Sequence, residues 1–253
     1  MIRRLSLLCS AVLLLGAAEP ESQPKPLPPA EAAKQGRQLA AEILAQTPDQ
    51  DSQVQGFIEI RRSKTRKRTG FSMSLHVLDG KWLTRYSTSN PGKPAEDLVI
   101  THSANAPNQY AYQLSAGGGG PRTPLPDLSP AQAATQTFAE SDFSLADLGL
   151  EFLHWPEQRL LKTQMRRSRS CRVLESINPQ PAPGAYSRVV SWIDIESKEP
   201  VFAQAYDFQG KLLKEFAPKD VQKVRGRWEL KGMQLDNRQT GSSTRIEFNL
   251  DQV

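Results

Sequence analysis

The feature that most constrains this chain is a change of hydrophobic period, from about 3.6 to 2, just after Pro48. Alternation of apolar and polar residues over short runs builds strands that bury one face. Phe57, Ile58 and Ile60 mark a first strand, and Phe71, Met73, Leu75 and Val77 alternate with Ser72, Ser74 and His76 in a second. Asp79-Gly80 supplies the hairpin turn into a third, which contains Trp82 and Tyr86. Further strands are expected over 98–102 and 110–114. The C-terminal half then forms a meander over 158–165, 170–177, 186–195, 201–208, 211–216, 221–224, 228–236 and 244–250. Gly184, Gly210, Gly226 and Gly241 punctuate it.

Helical signals are few and local. Ala30 to Gln46 is rich in Ala, Glu, Lys, Gln and Leu, with Leu39, Ile43 and Leu44 on one face, and Pro48 ends it. Ser129 followed by Pro130 predicts a helix start, as does Ser144 ahead of Leu148. Roughly a dozen strands with two or three inserted helices give an α+β plan, a large antiparallel sheet with helices against one face. A sheet of that width tends to curl, which leaves one side concave and apolar.

The first 18 residues have the layout of a cleavable secretory signal: basic Arg3 and Arg4, an apolar run from Leu5 to Leu15, and Gly16-Ala17-Ala18 at the cut. That run is too short for a permanent membrane span. Cys9 lies inside it behind Leu7 and Leu8, which argues against a lipidated cysteine. Residues 19–29 are proline-rich and polar, an expected disordered tether, so 30–253 is the expected folded domain and the periplasm the expected location. Cleavage near Ala18 leaves Cys171 as the only cysteine, which excludes an intrachain disulfide and favours a passive buried thiol. The formal net charge of +5 falls to roughly +3 without Arg3 and Arg4, which permits anionic partners without demanding them.

Little in the chain suggests catalysis. Gly117 to Gly120 lack the Lys-Ser or Lys-Thr of a phosphate loop and are flanked by prolines. His76, His102 and His154 have no ligand at metal spacing, and no Gly-x-Ser-x-Gly elbow is present. No enzyme, cofactor or metal is expected. Arg61, Arg62, Lys64, Arg66, Lys67 and Arg68 cluster between the first two strands. They are either a docking patch for an anionic membrane or acidic protein, or a solvated hairpin tip that protects a sheet edge. The absence of interleaved aromatics argues against nucleic acid. The apolar face offers Phe71, Met73, Leu75, Trp82, Tyr110, Tyr112, Trp192, Phe202, Tyr206, Trp228 and Phe248, either as ordinary core or as the wall of a cavity for an acyl chain.

One segment is more specific. Thr137-Phe138-Ala139-Glu140-Ser141-Asp142-Phe143-Ser144-Leu145-Ala146-Asp147-Leu148 resembles the segment that marks the outer-membrane lipoprotein-sorting protein family, relatives of the periplasmic lipoprotein carrier. Gly226-Arg227-Trp228, Met233 to Asn237, Gly241 and Thr244 resemble its closing hairpin, and Tyr206 to Leu212 the hairpin before it. The similarity spans about Leu39 to Val253. It implies an unclosed half-barrel of about 11 strands, with helices covering the concave face over a hydrophobic cavity. Asp142 and Ser144 would cap the short helix, while Phe143 and Leu148 would anchor it as a lid. The function implied is a non-enzymatic, monomeric carrier of lipoprotein acyl chains or lipid. The alternative is an envelope sensor or interaction module with a filled core and a basic docking hairpin.

Overall fold

The computed structural model describes residues 26–89, 94–115, 125–224 and 226–252. The expected leader, most of the proline-rich tether and the Gly117 to Gly120 run lie outside them. Helix α1 spans Pro29–Leu44, so the proline assigned to the tether occupies the first helical turn, where its missing N–H costs nothing. Leu39, Ala40 and Ile43 form its buried stripe. Gly36 lets the helix lie almost on a strand backbone: a Cβ there would come within 2.5 Å of the Arg159 amide nitrogen.

Six strands follow: β1 (Ser52–Arg62), β2 (Thr65–Leu78), β3 (Lys81–Ser89), β4 (Ala95–Ser103), β5 (Ala106–Ser115) and the two-residue β6 (Asp127–Leu128). A connecting segment carries α2 (Pro130–Thr135), α3 (Leu145–Leu148) and a 3-10 turn at Glu151–His154. The meander then comprises β7 (Glu157–Arg166), β8 (Arg169–Ile177), β9 (Arg188–Asp194), β10 (Pro200–Tyr206), β11 (Leu212–Val224), β12 (Arg227–Asn237) and β13 (Ser243–Asn249). All pair antiparallel in one 13-stranded sheet of order β6-β5-β4-β3-β2-β1-β13-β12-β11-β10-β9-β8-β7. The two halves join where β1 meets β13, with Ile58 opposite Ile246.

The sheet is unclosed, as expected, but has 13 strands among the described residues rather than about 11. The stretches expected separately at 211–216 and 221–224 are one strand, β11, because register shifts around Asp220 absorb the irregularity at Pro218 instead of ending the strand.

Alternation sorts the core onto two faces. On the helix side, Ile58, Phe71, Leu98, Ile100, Leu235, Ile246 and Phe248 meet Ala133, Phe138, Phe143 and Leu145 of the connecting segment. Next to them, Leu174, Val189, Ile193, Ala203 and Ala205 take α1 and Phe152. Burying each large side chain is worth about 1.5–3 kcal/mol. A smaller cluster of Cys171, Val173, Val190, Trp192 and Phe202 lies on the opposite face. Arg166 covers it with its guanidinium, 4.0 Å from the Phe202 ring centroid.

Candidate functional site

The segment from Ser129 to Trp155 lies across the helix side of the sheet, held by its buried apolar side chains together with local caps and a few long-range polar ties. Ser129 and Ser144 each make a capping box, with Gln132 and Asp147 as their partners. Asp142 does not cap α3. Its carboxylate accepts from Ser242 Oγ at 2.5 Å, Asn237 Nδ2 at 3.2 Å and Thr244 Oγ1 at 2.8 Å, all on or beside the β12–β13 turn. The reason is reach: Ser144 already fills the cap, which leaves the buried Asp142 carboxylate facing three donors of another hairpin.

Lys214 of β11 completes the fastening. Its Nζ donates to the Asp142 carbonyl at 2.6 Å and to Asp147 Oδ2 at 3.3 Å, where Tyr186 also donates at 3.0 Å. Burial in first place, then the Asp147 charge, push the Tyr186 hydroxyl well above its ordinary pKa. The segment that suggested the family and the hairpins that supported it therefore meet in space. Lys214 and Tyr186 carried no signal in the sequence, since their partners lie far away along the chain.

The basic hairpin joins the same fastening. Ala139 and Glu140 both have left-handed backbones, φ 57° and 56°, a conformation unfavourable for side chains other than glycine's. Arg62 donates to the Glu140 carbonyl at 2.7 Å and Lys67 pairs with its carboxylate at 2.7 Å. Arg61 and Arg66 pair with Glu59, and Arg68 lies over the Phe57 ring. Lys64 sits exposed in the turn.

The eleven sequence candidates for an apolar wall do not share a face, although Phe248 packs with Phe71 in the main core. Phe71, Met73, Tyr110 and Tyr112 face the connecting segment and pack in its cluster, and Leu75 follows them in register, half-buried. Trp82 stacks on His102 at 5.0 Å and lines a cavity. Trp192, Phe202 and Tyr206 belong to the opposite face, and Trp228 is exposed on the β11–β12 hairpin. A period of 2 defines which residues share a face within a strand but not which face meets the helices. Of the lid candidates, Phe143 is buried against Phe216, with ring centroids 6.1 Å apart, and Leu148 is half-buried beside the same cluster.

Cavities flank the connecting segment, and two of them adjoin α3 and the 3-10 turn. One, of about 720 Å³, lies between α2, α3 and the 178–186 loop, lined by Pro130, Ala134, Phe152, Trp155, Pro179 and Tyr186 among others. The other, of about 300 Å³, opens between the end of α1, β3, β4 and the 3-10 turn. Beside it Tyr110 Oη and Asn108 Nδ2 both donate to Glu151 at 2.9 Å. Gly149 makes room for them, since a Cβ there would sit 2.4 Å from Tyr110 Oη. Burial raises the pKa of Glu151 against these donors. Burial also lowers His102 to about 4, partly offset by the Asn108 amide. Among the described residues no three His, Cys, Asp or Glu side chains gather as a metal site.

An unclosed antiparallel sheet crossed on one side by a short helical segment is a fold shared with solved structures. An outer membrane lipoprotein-sorting protein domain from Vibrio parahaemolyticus superposes with TM-score 0.69 at 19% identity, covering 86% of this chain and 91% of that one. A DUF1329 family protein from Desulfovibrio piger gives the same values, TM-score 0.69, 19%, 86% and 91%. A LolA superfamily protein from Nitrosomonas europaea reaches TM-score 0.52 at 15% identity over 86% and 91% of the two chains. No curated protein matches the sequence. Residues 121–252, just over half of the chain, match the model of a protein family described as uncharacterized, and the chain belongs to that family.

Proposed function

We propose that this protein is a non-enzymatic carrier or binding protein for acyl chains of lipoproteins or lipids, acting in the periplasm. The observation that carries the reading is the way the apolar face is covered. Phe71, Leu98, Ile100 and Phe248 are closed by Phe138, Phe143 and Leu145 of the lid rather than by a second sheet. That lid is short, and Asp142, Asp147 and Lys214 fasten it through polar contacts. Displacing it would uncover a continuous apolar surface, at the expense of a few hydrogen bonds, each worth about 0.5–1.5 kcal/mol net, and of the burial of Phe138, Phe143 and Leu145, each worth about 1.5–3 kcal/mol. An acyl chain entering there would recover about 0.8 kcal/mol per methylene buried. The fold shared with the lipoprotein-sorting domain and the apolar leader at the N-terminus support the same reading.

A second reading has an observation of its own. In the closed form the lid aromatics fill the concave side, as they would in an interaction module with a permanent core. Titration with a fluorescent long-chain acyl probe separates the two. A carrier takes up the probe saturably and releases it to excess unlabelled lipid, whereas failure to bind at any accessible concentration would leave the interaction module standing.

A further inference from the structure

The β11–β12 hairpin outruns its neighbours. β11 pairs with β10 only up to Phe216, and β12 with β13 only from Gly232 onward, yet β11 and β12 pair with each other as far as Val224 opposite Arg227. The far part is a two-stranded arm. Its inner side rests on the body: Val224 packs against the main core cluster and Gln222 donates to Asp251 at 3.2 Å.

The outer side is different. Val221 is opposite Leu230 and Lys223 opposite Trp228, so these four side chains share one face. Trp228 is 70% exposed, Val221 55% and Leu230 37%. Scattered apolar residues on a surface need no explanation, but a cross-strand cluster around a tryptophan on a projecting arm marks a contact surface. The chemistry favours a membrane over a protein. Indole has an apolar body and a polar N–H suited to headgroup depth. Lys223 shares the face and Lys219 is exposed beside it. Of the nearby acids, Asp220 is engaged by Arg245 at 2.7 Å, and Glu229 stands opposite Gln222 in register, on the inner side of the arm.

We infer that the β11–β12 arm docks the protein on an anionic lipid bilayer, with Trp228, Val221 and Leu230 entering the interface and Lys219 and Lys223 meeting the headgroups. The inference does not depend on the concave face carrying lipid. The test uses the full chain with vesicles of phosphatidylglycerol and phosphatidylcholine whose acyl chains are brominated near the headgroup. Tryptophan fluorescence should be quenched, and Trp228→Phe, which leaves Trp82, Trp155 and Trp192 in place, should remove most of the quenching. Val221→Ser with Leu230→Ser should weaken vesicle binding about tenfold while leaving the circular dichroism and Tm unchanged. Lys64→Glu, at the exposed turn of the basic hairpin, should bind as the parent does. The inference is overturned if Trp228→Phe is quenched as strongly as the parent, or if the parent ignores the vesicles. It is equally overturned if only the Lys64 change abolishes binding, or if the arm substitutions dissociate a dimer, which would make the face a contact between two copies.

Discussion

At Ser144 the backbone and side chain fulfil a rule that operates within four residues, and the capping box was legible from the sequence for that reason. Asp142, two residues earlier, finds its partners 95 to 102 residues away, where spacing along the chain carries no information. His102 is a third kind of case. Nothing near it in sequence announces burial, yet it stacks on Trp82, bonds to Thr84 Oγ1 at 3.1 Å, and has its pKa lowered to about 4. The unfolded chain takes up this proton near pH 6.5 and the folded one only near pH 4, so between those values the unfolded state binds more protons. Stability contributed by neutral His102 is therefore lost as pH falls through that window, by roughly 3 kcal/mol at most. His154, also lowered by burial, acts with the same sign. Glu151 acts oppositely, because its raised pKa adds stability at low pH that is lost as pH rises. In urea unfolding at pH 7 and pH 4.5, His102→Gln should lose less stability on acidification than the parent. An equal loss in both would mean that the ring stays protonated when buried.

Elements were easier to foresee than their faces. Helix α1 and the hairpins of β1, β2 and β3 followed from period and turn residues, and the structure has them where expected. β11 was missed as one strand because a proline usually ends a strand, whereas here register shifts on either side of Asp220 let pairing continue beyond Pro218. The segment from Ser129 to Trp155 is the element on which the proposed function turns. Its Ala139-Glu140 turn is held left-handed by Arg62 and Lys67, and its second half is tied by Lys214. The exposed Lys67 pair is worth little by itself. Lys214 is mostly buried and makes contact with both Asp142 and Asp147, so Lys214→Met should loosen the lid more than Lys67→Met. Amide hydrogen exchange would show this as faster exchange across 129–155 with β1, β2 and β13 unchanged. Uniformly faster exchange over the whole sheet would instead make the lid part of one cooperative core.

For the molecule as a whole, the open sheet and its covering helices were legible, because a dozen alternating segments with few helices leave few other plans. The composition of its faces was not. Trp192 and Phe202 belong to a cluster sheltered by Arg166 on the far side, and Trp228 to an exposed arm, although all alternate as regularly as Phe71. The basic hairpin, expected either as a docking patch or as a solvated tip, includes two cations, Arg62 and Lys67, that contact Glu140 of the connecting segment. The proposed carrier function rests on whether that lid covers a surface that lipid can occupy. Native mass spectrometry of protein purified gently from an envelope fraction addresses this directly. The expected spectrum contains protein carrying one lipid or lipopeptide, released on delipidation and restored by adding it back. Protein that is lipid-free as isolated, and stays so after exposure to diacylated lipopeptide, would contradict the carrier reading.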